Sequence, residues 1–301
     1  MWIYLSFISA LSLGIYEVCK KVSLTNNAVI PVLFLNTFFG SLIFLPFVCI
    51  SYFFPDKLHD TLFFIPPASL QVHGLIFLKS LIVLSSWIFN YFATKHLPLT
   101  LSGPIKAGQP VVVLLGALLI FGERLNLYQW IGILTAILSF FLIANSGKKE
   151  GINFAHNKWI VFLVLSVITG AASGLYDKYL MRSLDVMTVQ SWFNFYQFFM
   201  MLPILFLLWF PMRKKTTTFR WNWNIPLISL FLAIGDFFYF QALTYPDSLI
   251  SVVSMIRRSN VIVVFLFGAF IYREKNLKSK AFDLILVLIG MFFLYLGSAL
   301  I

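Results

Sequence analysis

The chain has little charge and almost no cysteine. Its 301 residues include two cysteines, four histidines and eleven acids, and charged residues of both signs make up only 11%. Cys19 and Cys49 fall in or beside apolar stretches with no second pair, which excludes a disulfide framework and a cysteine zinc site. The histidines, at 59, 73, 96 and 156, lie outside or at the edges of those stretches and form no His-x-x-Glu-His pattern. No metal site and no cofactor is indicated. A soluble domain carries about a quarter charged residues, so a chain this poor in charge has too little polar surface to offer water.

In place of charge there is apolar mass: 60% of residues are hydrophobic and 18% aromatic, with a mean hydropathy of +0.91. Apolar windows of roughly 17–25 residues recur from end to end, the length a helix needs to cross a hydrocarbon core. The polar interruptions place spans near 2–20, 30–54, 72–94, 99–121, 127–146, 158–180, 187–210, 224–245, 248–271 and 280–301. A β-barrel strand alternates apolar and polar faces, whereas Val111-Val112-Val113-Leu114-Leu115 is apolar on every face. Helices also satisfy their own backbone in lipid. The expected fold class is therefore an all-α polytopic membrane protein with ten transmembrane helices. The first stretch lacks a basic n-region and a small-residue cleavage site, so it is read as a span and not a removable signal.

The formal charge of +11 points to nucleic acid only in a soluble chain. Here the bases cluster at span ends, and topology explains them without a nucleic-acid partner. Loops joining spans 1–2, 3–4, 5–6, 7–8 and 9–10 carry most of them, from Lys20 and Lys21 to Lys278 and Lys280, while the other side shows Lys57, Arg124 and Arg182. Basic loops resist translocation, which places both termini outside; the expected location is a bacterial inner (plasma) membrane, as an integral multi-pass protein.

A second pattern is internal. Gly14-Ile15-Tyr16-Glu17 in span 1 returns as Gly174-Leu175-Tyr176-Asp177 in span 6, and Leu45-Pro46 returns as Leu202-Pro203. Phe121-Gly122-Glu123-Arg124-Leu125-Asn126 after span 4 is echoed by Tyr272-Arg273-Glu274-Lys275-Asn276 after span 9; counting back from the glutamates sets Lys106 opposite Arg257. The units are residues 1–146 and 158–301, joined by a polar, glycine-containing linker at 147–157. Five spans per unit is an odd number, so the second copy enters the membrane upside down, giving two inverted five-helix repeats.

On these residues, and on Ala93 to Pro98 followed by Gly122-Glu123-Arg124-Leu125 and Gln129-Trp130-Ile131-Gly132, the chain resembles the drug/metabolite transporter superfamily in its EamA-type ten-span branch. The resemblance covers nearly the whole chain. It implies spans 1–4 and 6–9 around a central cavity, with spans 5 and 10 supporting the interface. It implies no single substrate, since relatives carry amino acids, nucleotide sugars, phosphates and drugs. Many relatives are described with cytoplasmic termini, opposite to the side the basic loops indicate here.

Ionisable side chains in mid-span are costly unless they face a cavity or a partner. That filter leaves Glu17, Asp177, Asp236, Lys79, Lys106, Arg257 and Arg258, with Lys20, Lys95 and Lys178 read as snorkelling from span ends. Glu17–Lys106 and Asp177–Arg257 are the expected pairs, open to two roles: fixed salt bridges, or a site for substrate and a coupling proton. The candidate substrate-binding set is Tyr16, Glu17, Lys79, Trp87, Lys106, Gln109, Tyr176, Asp177, Asn194, Asp236 and Arg257. Arg257 offers bidentate hydrogen bonding to a carboxylate or phosphate. Gly103, Pro104 and Pro110 predict a helix break beside Lys106, and span 9 has no matching proline.

The expected function is secondary active transport of a small polar or amphipathic metabolite, anionic or zwitterionic, by alternating access, with a proton as candidate coupling ion. The partners are then a small solute and the bilayer. A lipid or lipid-phosphate translocase is the nearest alternative, requiring a cavity open to the bilayer side. A membrane-embedded enzyme finds no positioned acid, base and nucleophile, and an assembly subunit leaves the central charges unexplained.

Overall fold

A computed structural model describes residues 1–121, 126–148, 156–245, 248, 250–271 and 277–299. The Gly122-Glu123-Arg124-Leu125 turn, most of the 147–157 linker and Arg273-Glu274-Lys275 lie outside the described residues. The described chain is helical: α1 (Trp2–Leu24), α2 (Val29–Phe53), α3 (Leu70–His96), α4 (Leu99–Ala107), α5 (Gln109–Phe121), α6 (Leu127–Lys148), α7 (Lys158–Leu180), α8 (Val186–Pro203), α9 (Phe210–Met212), α10 (Asn224–Thr244), α11 (Ile250–Arg258), α12 (Asn260–Phe270) and α13 (Leu277–Ala299). Among the described residues six helices are long and apolar enough to cross a membrane: α1, α2, α3, α7, the Val186–Met212 stretch and α10. The fourth and ninth expected spans are instead split into short helices, α4 with α5 and α11 with α12.

Local chemistry sets several boundaries. Ser69, Asn157 and Asp185 cap α3, α7 and α8 by accepting from the backbone N–H of Val72, Trp159 and Thr188, each satisfying a first-turn donor that has no helical partner. Pro46 sits inside an unbroken α2. Its counterpart Pro203 ends α8 and is followed by a π-helical turn at Ile204–Trp209 before α9, because proline removes a donor and crowds the preceding turn. This π turn leaves Phe206, Leu207 and Leu208 more than half exposed. Phe7, Leu11, Leu134, Leu138, Phe282 and Phe292 are also exposed, an apolar exterior suited to lipid and not to water.

The two halves interlock. α1 packs on α10 and α3 on α7; α1 meets α12 and α5 meets α7; α2 meets α10 and α8 meets α3. Each pairing has its mirror in the other half, while α2 with α8 and α6 with α13 pair like with like. Close approach needs small residues: a Cβ on Gly14 would lie 2.6 Å from the Cβ of Val263, and one on Gly116 2.7 Å from Leu175 Cδ1. α2 and α8 also bury polar side chains, Asn36, Thr37 and Ser41 on the first and Gln190, Asn194 and Gln197 on the second. From α10, Ser229 Oγ donates to the Asn36 carbonyl at 2.9 Å and Oδ1 at 3.0 Å. Between α2 and α3, the loop tucks in Ile65, whose N–H donates to Ser51 Oγ at 3.0 Å, and Phe63 stacks on both Phe47 and Phe237.

Candidate functional site

The split helices place polar groups in the middle of the bundle. α4 carries Pro104 inside it and stops at Gly108, and Pro110 in the next turn has no N–H to give. The Gly108 N–H donates to Ile105 O at 3.2 Å, and Val111 N–H donates to Gly108 O at 3.1 Å. In the register that pairs Lys106 with Arg257, Gly108 stands opposite Ser259, and the same two tight bonds recur there: Ser259 N–H to Ile256 O and Ile262 N–H to Ser259 O, both 3.0 Å. The missing proline therefore does not remove the break. At this break Ser259 also donates its hydroxyl to Ile256 O at 2.7 Å, a local side-chain bond that competes with the helix ladder.

Three acids gather the central bases. Glu17 on α1 is shared: its Oε2 accepts from Lys106 Nζ at 2.8 Å and its Oε1 from Lys20 Nζ at 2.7 Å. Asp177 on α7 pairs with Lys79 on α3, and Asp236 on α10 pairs with Arg257 on α11. The expected Asp177–Arg257 pair does not form, because α3 lies against α7 and delivers Lys79 first. Lys20 does not snorkel. The helix runs on to Leu24, which leaves Lys20 a turn inside, fully buried, one turn from Glu17 on the same face. Aromatic rings cradle the cations: Lys20 Nζ lies 4.4 Å from the Tyr16 centroid and 5.3 Å from that of Tyr91. Lys79 Nζ lies 4.7 Å from Phe193 and 4.8 Å from Phe240, and the Arg257 guanidinium 4.0 Å over Tyr239. Such contacts favour a cation most where water is excluded.

These groups surround a cavity of about 130 Å³, room for roughly ten waters or a compact solute. Among the residues singled out from sequence, Tyr16, Glu17, Lys79, Trp87, Lys106, Gln109, Asp177, Asp236 and Arg257 line it. Tyr176 and Asn194 do not. Tyr176 donates its hydroxyl to Leu75 O at 3.3 Å and stacks on Tyr179; where Tyr16 has Lys20 a turn later, Tyr176 has the apolar Leu180. Asn194 sits in the α2–α8 seam against Gly40, donating to Gln190 O at 2.8 Å. Arg258, one of the mid-span charges but outside the candidate substrate-binding set, also lines the cavity, as do Asn90, Ser254 and Asn260. Gln109 and Asn260 hold equivalent places, since each opens the second helix of a split pair. Among the described residues no three His, Cys, Asp or Glu side chains come together as a metal site.

The sequence matches the EamA-like transporter family twice, over residues 1–145 and 157–296. The chain belongs to the EamA-like transporter family. EamA-like proteins are a family of transporters, which makes this chain a membrane protein of transporter type with a two-repeat architecture. One solved crystal structure superposes with a TM-score of 0.64 over 98% of this chain and 97% of its own, at 14% identity; at that identity the likeness concerns the fold. A search of curated proteins finds no match. The EamA-like assignment and the ion-lined cavity come from independent observations, one of sequence and one of geometry.

Proposed function

We propose that this EamA-like protein is a secondary active transporter that carries a small anionic or zwitterionic metabolite through the central cavity by alternating access. In this reading the split pairs α4–α5 and α11–α12, together with α6 and α13, join the six long apolar helices to make ten crossings in two inverted repeats, 1–146 and 158–301. The reciprocal packing of α1 with α10 and α3 with α7 supports the inversion. With the basic loops on the cytoplasmic side, both termini are external.

The observation that carries the reading is a central cavity at the meeting of the two halves, lined by ion pairs from both. Charges inside a membrane cost about 2.5–3.5 kcal/mol each on insertion scales, and a buried ion pair is a poor stabiliser compared with apolar packing. A site for a polar solute explains their presence better than stability does. Five bases around three acids favour a solute that brings negative charge. A carboxylate shared between Lys20 and Lys106 supports a proton as the coupling ion, because the second ammonium has no counter-ion of its own.

The test is counterflow in proteoliposomes preloaded with pooled anionic and zwitterionic metabolites. The wild type exchanges at least one of them, and Lys106→Ala and Arg257→Ala abolish that exchange while eluting as folded protein. Unchanged exchange in both variants contradicts the central-site assignment.

A further inference from the structure

The three acids at the cavity are all engaged: Glu17 by Lys106 and Lys20, Asp177 by Lys79, Asp236 by Arg257. Arg258 lines the same cavity, and among the described residues it makes no ion pair and no hydrogen bond. Its Nε is buried with no acceptor, and so is the Nε of the adjacent Arg257, whose Nη2 is committed to Asp236. In the repeat register Arg258 stands opposite Ala107, so its charge has no counterpart in the first half and is not needed to build the break.

We propose that Arg258 is the seat of a substrate oxyanion, a carboxylate or a phosphate, carried on a compact apolar or aromatic body; this rests on the transporter reading above. An unpaired guanidinium facing a low-dielectric cavity is costly until a counter-charge arrives, and an arriving oxyanion gains most at the one base whose donors are unused. A guanidinium presents its N–H groups as a planar fork that binds both oxygens of such a group at once. Arg257, the natural candidate from sequence, is held by Asp236 and stacked on Tyr239. The remaining wall supplies Trp87, Phe193, Tyr239 and Phe240, which suit an apolar or planar body better than a second charge.

The test is isothermal titration of the purified full-length protein with three probes of one shape: benzoate, phenyl phosphate and neutral benzamide. The wild type should bind at least one of the two anions saturably and bind benzamide far more weakly; the anion bound more tightly identifies carboxylate or phosphate as the preferred group. Arg258→Gln should weaken the anion by about tenfold or more, the scale of a lost charge-assisted pair, while Lys214→Gln, an exposed base outside the cavity, leaves it unchanged. If Arg258→Gln fails to fold, Arg258→Lys serves in its place and should lose affinity severalfold, because an ammonium cannot form the fork. Wild-type affinity in the Arg258 variant, benzamide bound as tightly as the anions, or no binding of either anion overturns the proposal. An anion that binds through Arg258 but never crosses proteoliposomes would keep the seat and defeat the transporter reading. Exchange indifferent to Arg258→Gln would do the reverse.

Discussion

The two split helices share a backbone and differ in chemistry. At Gly108 and at Ser259 the chain makes the same pair of tight turns, one with a glycine flanked by prolines and the other with a serine hydroxyl. The first break carries Lys106 and Ala107, the second Arg257 and Arg258. The acids differ in the same way: Glu17 is bound by two lysines of its own half, whereas Asp177 takes its single lysine from the other half. Duplication has kept the scaffold symmetric and let the charges diverge. A scaffold with two equivalent arrangements is what alternating access requires, and selectivity for cargo then rests on the part that is not symmetric.

The comparison breaks most visibly at Asp177. Asp177→Asn strands Lys79, which is 2% exposed between Phe193 and Phe240, and should cost about 3–5 kcal/mol of stability in thermal melts. Replacing both partners, with Lys79→Met and Asp177→Leu, should recover most of that loss while exchange stays abolished. A single variant that melts like the wild type would show that the pair does not hold the halves together. Next in size is packing at the mirrored helix contacts. Gly14→Ala drives a Cβ into Val263 at its branched carbon and should cost about 1–3 kcal/mol. Gly116→Ala meets only the mobile end of Leu175 and should cost less, and equal losses would sink the distinction. Smallest is Ser259→Ala, which removes the bond to Ile256 O and should cost about 1 kcal/mol without closing the break. A larger loss would mean that the hydroxyl, and not the repeat geometry, maintains the second split.

Much of this was legible in the residues. The helical character, the six long apolar helices, the echo of Tyr16-Glu17 in Tyr176-Asp177, and the opposition of Lys106 and Arg257 all follow from hydropathy and internal echo. What escaped was three-dimensional. The partner of Asp177 lies on α3, nearly a hundred residues away, and only interlocking of the halves brings it there. Lys20 was assigned to a span end because hydropathy falls at the Lys20-Lys21 pair, yet the helix continues another turn and buries it. The second break was hidden because a serine back-bond leaves no mark as strong as proline. Tyr176 and Asn194 sit on helices that reach the cavity, but on faces turned to a neighbouring helix, a choice of about 100° per residue that depends on packing.

The most direct test of the central claim is whether one cavity residue can be reached from both sides of the membrane. In a protein with Cys19 and Cys49 replaced by serine, Ser254→Cys places a thiol in the cavity wall. Alternating access predicts labelling by a membrane-impermeant maleimide from either face of oriented vesicles, with solute shifting the ratio of the two rates. Labelling from one face only, with and without solute, would contradict it.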